Sequence, residues 1–199
     1  MTITINGNGT VTGVSVGGLP DGIVDTDMIA ANAVTVAKAS GSVKGITIKD
    51  QWRVTSNFTG DAQPISSNWE RIDSNSHGVI GSAMTESSGV FTFPETGIWE
   101  IEFNTSHRHV GEVNRWIDQS IYITENNSSY TEAVRSVASI LDHASGAYGL
   151  GDGKVLFDVT NVSTHKVRFH VTSADSDLIT QGHSTINFTY ATFTRVGDT

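Results

Sequence analysis

An all-β fold, a sandwich or barrel of about eight to ten short strands, is predicted by three features of the sequence. From about Asp50 onward apolar and polar side chains alternate, turn-forming clusters separate the alternating segments, and helix formers are sparse. The alternation is clearest in GIWEIEFNTS, where Trp99, Ile101 and Phe103 fall on one face and Glu100, Glu102 and Asn104 on the other. Successive side chains of a strand point to opposite sides, so the first three are assigned to the core and the second three to water.

The other strands follow the same rule. In KVLFDV, Val155, Phe157 and Val159 oppose Lys154 and Asp158, and in KVRFHV, Val167, Phe169 and Val171 oppose Arg168 and His170. Ile186, Phe188 and Tyr190 repeat the period near the C-terminus, which adds Phe157, Phe169 and Phe188 to the expected core. Further strands are read at QWRVTSNF, GVIGSAM, GVFTF, RWIDQSIYIT and AVRSVASIL, the last set as a strand by its neighbours despite its Ala and Arg. Turns are expected at SNSHG, ESSG, PETG, ENNSS and GLGDG, because Gly, Asn, Asp and Ser accommodate turn backbones. No helices are large enough to cover a parallel sheet, which excludes an α/β architecture.

Composition bounds the function. The 199 residues, 37% of them hydrophobic, support one ordinary core domain, read as 50–199, plus an extension, read as 1–49. The extension is Gly-rich and poor in aromatics, too small to build its own core, and is expected to serve as an attachment or stalk segment. Within it TVTGVSV is a candidate strand, and Asp25 or Asp27 a candidate cap for a helical turn through MIAANAV. Cysteine is absent, so disulfides and thiolate metal sites contribute nothing. MTITINGNGT lacks the pattern of a signal peptide and no stretch is apolar enough to span a bilayer, so a soluble protein made in a cytoplasm is expected, with no membrane insertion. A net charge of -9 with scattered Lys and Arg argues against nucleic acid as a partner.

SSGVFTFPETGIWEIEF resembles the strand-turn-strand signature of the complement-type and tumour-necrosis-factor-like globular heads. GLGDGKVLFDV is similar to that family's step into a long core strand, and STINFTYATFTRV to its closing strand, so the resemblance spans Gln51 to Val196. It implies a jelly-roll β-sandwich that forms a homotrimer by burying an apolar strip of each subunit against its neighbours, with Tyr122, Tyr190 and Phe193 as the expected strip. Separately, GGLPDGIVDTDMIAANAVTVAKASG resembles the N-terminal and shaft segments of bacteriophage fibre proteins, and NWERIDSNSHGVIGSAM the start of their terminal domains. That second resemblance implies a virion structural protein, located in the particle. Its N-terminal segment would hold other virion proteins and its head would meet a host-surface glycan or protein. A capsid decoration or head-fibre protein is the alternative, and a polysaccharide depolymerase the remote one.

Candidate chemistry is thin. His107 and His109 stand at i and i+2 on one strand face, where two imidazoles would share a metal, with Asp142, His143 and Glu112 available to complete the shell. Polar residues at a strand end explain the same pattern, and no metal, cofactor or catalytic residue is assigned. GLGDGK lacks the Ser or Thr and the helix that a phosphate loop needs, since Val155 and a strand follow, so its glycines are read as turn residues with positive φ. Glu100 and Glu102 share a wet strand face, where solvation is commoner than a glycosidase pair, and an enzyme is not expected. Of the four tryptophans, Trp99 is assigned to the core, while Trp52 or Trp116, if exposed beside loops, would offer a ligand platform.

Overall fold

A computed structural model describes residues 45–199 apart from Asn75, together with the backbone of β1 (Thr4–Ile5) and β2 (Val11–Thr12). The chain divides into two compact units, Met1–Val43 and Lys44–Thr199. In the first, β1 pairs antiparallel with β2, and Val11–Thr12 falls inside the predicted TVTGVSV strand. The predicted turn through MIAANAV lies outside the described residues, as does most of the attachment segment.

The second unit is built from β3 (Ile48–Val54), β4 (Ser56–Thr59), β5 (Trp69–Arg71), β6 (Thr85–Ser87), β7 (Val90–Thr92) and β8 (Gly97–His109). It continues through β9 (Asn114–Thr124), β10 (Thr131–Ile140), β11 (Ala147–Val159), β12 (Lys166–Ser173), β13 (Ile179–His183) and β14 (Tyr190–Gly197). Among the described residues no helix is long and apolar enough to cross a membrane. Two antiparallel sheets result. One runs β10-β9-β12-β7-β6; the other has seven strands, with the path β4-β13-β8-β14-β3-β5 and β11 added beside β8. Because β11 pairs with β8 along its whole length, β14 and β13 must share the opposite edge of β8. The strand reading of AVRSVASIL holds, since it lies mostly within β10.

The sheets face each other through aromatic side chains. Phe91 of β7 meets Phe193 of β14 at 5.2 Å between ring centroids, and Phe103 of β8 stacks on Phe169 of β12 at 4.6 Å. Trp69 closes one side of this cluster against Phe91 and Phe169. Trp99, Ile101, Phe103, Phe157 and Phe169 are buried in this core, on the faces that the alternation assigns. Such aromatic pairs add about 0.5–1.5 kcal/mol each beyond the area they bury.

Phe188 departs from the expectation. It is only half-buried and lies before β14, in an irregular stretch from Ser184 to Thr189, so Ile186, Phe188 and Tyr190 do not share one strand face. Gly78–Met84, read as a strand, makes only an isolated bridge between Ile80 and Lys49. ESSG does turn, since Ser88 and Gly89 both have positive φ, the requirement of a tight two-residue hairpin between β6 and β7.

GLGDG is not a turn. Gly149, Gly151 and Gly153 lie inside β11, paired with His107, Thr105 and Phe103, and none of them is among the residues with positive φ. Their inward faces are roofed by Ile140, Gln119 and Val134, whose side chains would stand 2.9, 2.0 and 2.9 Å from an added Cβ. The glycines are there for close approach between the sheets. Gly151→Val is therefore expected to displace the buried Gln119 side chain and to destabilise the domain by about 1–3 kcal/mol. Chemical denaturation checks this, and unchanged stability would remove the packing explanation.

Candidate functional site

β11 carries the most exposed apolar surface of the described chain. Its odd residues face the core, while Tyr148, Leu150 and Leu156 point outward with 65%, 75% and 63% of their surface exposed. Val137 and Leu141, on and just after β10, extend the apolar surface at the adjoining edge of the sandwich. Beside Leu150 the outer face of the seven-stranded sheet sinks into a cavity of about 490 Å³, lined by Asn104, Ser106, Asp152, Phe188 and Tyr190. An apolar edge flanking an open cavity fits a surface that receives another macromolecule.

Tyr190 is placed there, opposite Asn104 on β8. Tyr122 and Phe193 are not. Tyr122 lies on the outer face of the five-stranded sheet, stacked on His170 at 4.0 Å with the Arg168 guanidinium 5.8 Å from its ring. Phe193 is fully buried between the sheets, because it pairs with Ile101 on the inward register of β14. The three residues expected to form one strip thus occupy three different faces, and Phe193 belongs to the core. Sequence did carry a signal for the exposed apolar side chains of β11. Leu150 and Leu156 are large apolar residues in phase with Asp152, Lys154 and Asp158, on the side that should be wet.

Glu100 and Glu102 also stand on this outer face, and Lys154 of β11 reaches both, at 3.4 Å from Glu100 Oε1 and closer to Glu102. The two carboxylates raise the Lys154 ammonium above its ordinary pKa, chiefly through the Glu102 hydrogen bond. This is a cross-strand ion cluster in which the lysine pairs with both carboxylates.

The histidines separate. His107 points into the interior, its Nδ1 3.2 Å from Thr180 Oγ1 and its Nε2 2.9 Å from Thr105 Oγ1. Burial there pushes its pKa down to about 4. His109, one inward position further along, lies at the end of β8 where two loops meet. Its Nδ1 donates to the Glu112 carbonyl at 3.0 Å, and its Nε2 faces Asp177 Oδ1 at 2.8 Å. Although burial opposes the charged form, the hydrogen bonds to Asp177 and Glu112 outweigh it and raise the His109 pKa. His107 and His109 therefore share a face without sharing a ligand. Glu112 does lie beside His109, whereas the third group is Asp177 rather than Asp142 or His143. Asp177 is distant in sequence and had no spacing signal to betray it.

The tryptophans offer no open platform at Trp52, whose ring is covered by the Arg71 guanidinium at 4.7 Å and packs edge-on against Phe91. Trp116 is half-buried near the start of β9.

The geometry defines a two-sheet antiparallel jelly roll with an apolar edge. No protein-family model matches the chain, and no curated protein matches it. Solved structures do. Murine APRIL at pH 8.5 superposes with a TM-score of 0.53 at 13% identity, covering 75% of this chain and 98% of that one. Murine APRIL at pH 5.0 gives 0.54 at 12% identity with the same coverage. Eiger TNF from S. frugiperda gives 0.52 at 9% identity, covering 78% of this chain and 95% of that one. The fold is therefore that of the tumour necrosis factor jelly roll, as the resemblance of residues 51–196 implied.

Proposed function

We propose that this chain is a non-enzymatic structural and binding protein: a homotrimeric head carried on an N-terminal attachment segment at the surface of a bacteriophage particle. The observation that carries the trimer is the set of outward apolar side chains on β11, Tyr148 and Leu150 with Leu156 beyond Asp152 and Lys154, which a lone subunit leaves in water. In a cyclic trimer those side chains meet a second, different surface of the next subunit, and the cavity that Leu150 lines with Tyr190 and Phe188 belongs to the first of the two. The N-terminal attachment role and the virion location rest on the likeness of residues 17–41 to phage fibre segments. The enzyme reading is disfavoured by the Lys154 cluster that occupies the Glu100 and Glu102 pair.

Two tests bear on separate parts of this reading. Leu150→Asp with Leu156→Asp places charges on exposed positions that a monomer tolerates, so the double variant is expected to stay folded by circular dichroism and to sediment as single chains. A trimer that survives both charges would move the interface elsewhere. Labelling intact particles with antibody to the head, viewed by electron microscopy, is expected to mark fibres or spikes. Label on the capsid lattice would favour a decoration protein instead, and unlabelled particles would end the virion reading.

A further inference from the structure

The cluster at the end of β8 has a chemistry that the assembly surface does not use. Three groups from separate chain segments converge: His109 from the end of β8, Glu112 from the loop before β9, and Asp177 from the loop between β12 and β13. One imidazole nitrogen and two carboxylate oxygens lie within 4.8 Å of one another. The imidazole is almost completely buried and cannot swing, whereas both carboxylates are exposed enough for a cation to reach them from solvent.

The hydrogen bonding fixes which nitrogen is available. A carbonyl oxygen only accepts, so the Glu112 carbonyl holds the proton on His109 Nδ1 and leaves Nε2 directed at Asp177. A backbone carbonyl on Nδ1 is the usual outer-shell partner of an imidazole that ligates through Nε2. The proton shared between Nε2 and Asp177 Oδ1 occupies the position a metal ion would take. Zinc bonds nitrogen and carboxylate oxygen at about 2.0–2.2 Å, which sets two tetrahedral ligands roughly 3.4 Å apart. Starting from 2.8 Å, the pair must open by about half an ångström, within the reach of the exposed Asp177 side chain.

A second observation points the same way. Asp175, in the same loop and near enough for its charge to act on His109, has a buried Oδ2 with no hydrogen-bond partner. A buried carboxylate oxygen left unpaired is costly, and a nearby cation compensates it. The loop is itself braced, since Ala174 N–H donates to the Trp116 carbonyl at 3.0 Å and the Ser173 hydroxyl to the Asp175 carbonyl at 2.6 Å.

We infer that His109, Glu112 and Asp177 form a zinc-class divalent cation site that ties the β8–β9 loop to the β12–β13 loop at one end of the sandwich. Imidazole with carboxylates suits zinc better than calcium, which prefers an all-oxygen shell. Three protein ligands leave the fourth tetrahedral position for water, and the Asp175 charge acts on the same imidazole. The site is independent of the trimer and of the virion assignment, because every ligand comes from one chain.

The test is isothermal titration of chelator-treated full-length protein with zinc chloride at pH 7.5, together with melting curves with and without the metal. One zinc per chain is expected, with a higher melting temperature in its presence. Asp177→Asn and Glu112→Gln, both at exposed positions and close in shape to the native residues, are each expected to weaken binding at least about tenfold. His143→Ala is expected to leave it unchanged, which separates this site from adventitious surface histidines. Absence of saturable binding overturns the inference. So does binding that is lost in His143→Ala but retained in Asp177→Asn and Glu112→Gln.

Discussion

Replacing Asp50 with alanine is expected to destabilise the domain by about 2–4 kcal/mol, the cost of leaving buried hydrogen-bond donors without their acceptor. The Asp50 carboxylate is almost fully buried and accepts four hydrogen bonds. Oδ1 takes the Gln51 N–H at 2.9 Å, and Oδ2 takes Trp52 Nε1 at 3.0 Å, Met84 N–H at 2.9 Å and Arg71 Nε at 3.2 Å. One side chain thus joins β3, β5 and the irregular stretch that reaches Met84. Removing it leaves the Met84 amide and the Trp52 indole N–H without their acceptor, while the part-exposed Arg71 guanidinium keeps its bond to the Met84 carbonyl. Asp50→Asn keeps the shape and part of the bonding, so a smaller loss is expected. Urea denaturation at fixed protein concentration measures both variants, and a loss under about 1 kcal/mol for alanine would show that these bonds are not structural.

The second large effect is with pH. His107 and His170 are both buried, and burial lowers each pKa to about 4 from an ordinary 6.5. The groups around His107 are the neutral hydroxyls of Thr105 and Thr180. Around His170 stand Tyr122, the Arg168 cation, which lowers the pKa further, and Glu132, which opposes it. With the folded pKa below the unfolded one, the unfolded chain binds more protons between about pH 6.5 and 4, so stability falls as the pH drops through that window. At about 1.4 kcal/mol for each pKa unit, the loss is on the order of 3 kcal/mol for each histidine. His109 does not offset it, because its pKa is raised: its contribution is complete below pH 6.5 and is lost only as the pH rises through its folded value. Denaturation midpoints at pH 7 and pH 4.5 are expected to differ sharply in the native protein and less in His170→Gln. Equal midpoints in the native protein would refute the account.

Legibility of this fold in the sequence tracked how local the cause was. The burial of Trp99, Ile101 and Phe103 follows from period-two alternation along β8, which needs no knowledge of neighbours. Phe188 falls outside the core because the alternation does not run through the irregular stretch from Ser184 to Thr189, whereas Phe193, expected in the inter-subunit strip, lies on the inward register of β14. The glycines of GLGDG were misread because a strand glycine demanded by a facing side chain looks, in sequence, like a turn glycine. Gln119 and Val134 supply that demand from the other sheet, and no sequence pattern announces it. The same holds for the candidate cation site, where Glu112 is near His109 in the chain and Asp177 is not. By contrast, the Leu150 and Leu156 anomaly was present in the sequence, as apolar residues on the polar side of a well-defined alternation.

Those side chains of β11 are where the account is most exposed to test, since assembly is the purpose it assigns to an otherwise unexplained apolar edge. The direct measurement is the mass of the full-length protein in solution by size-exclusion chromatography with multi-angle light scattering at micromolar concentration. The account predicts three times the mass of the single chain, falling to one chain mass in the Leu150→Asp, Leu156→Asp double variant. A native protein that elutes with the mass of a single chain would contradict it.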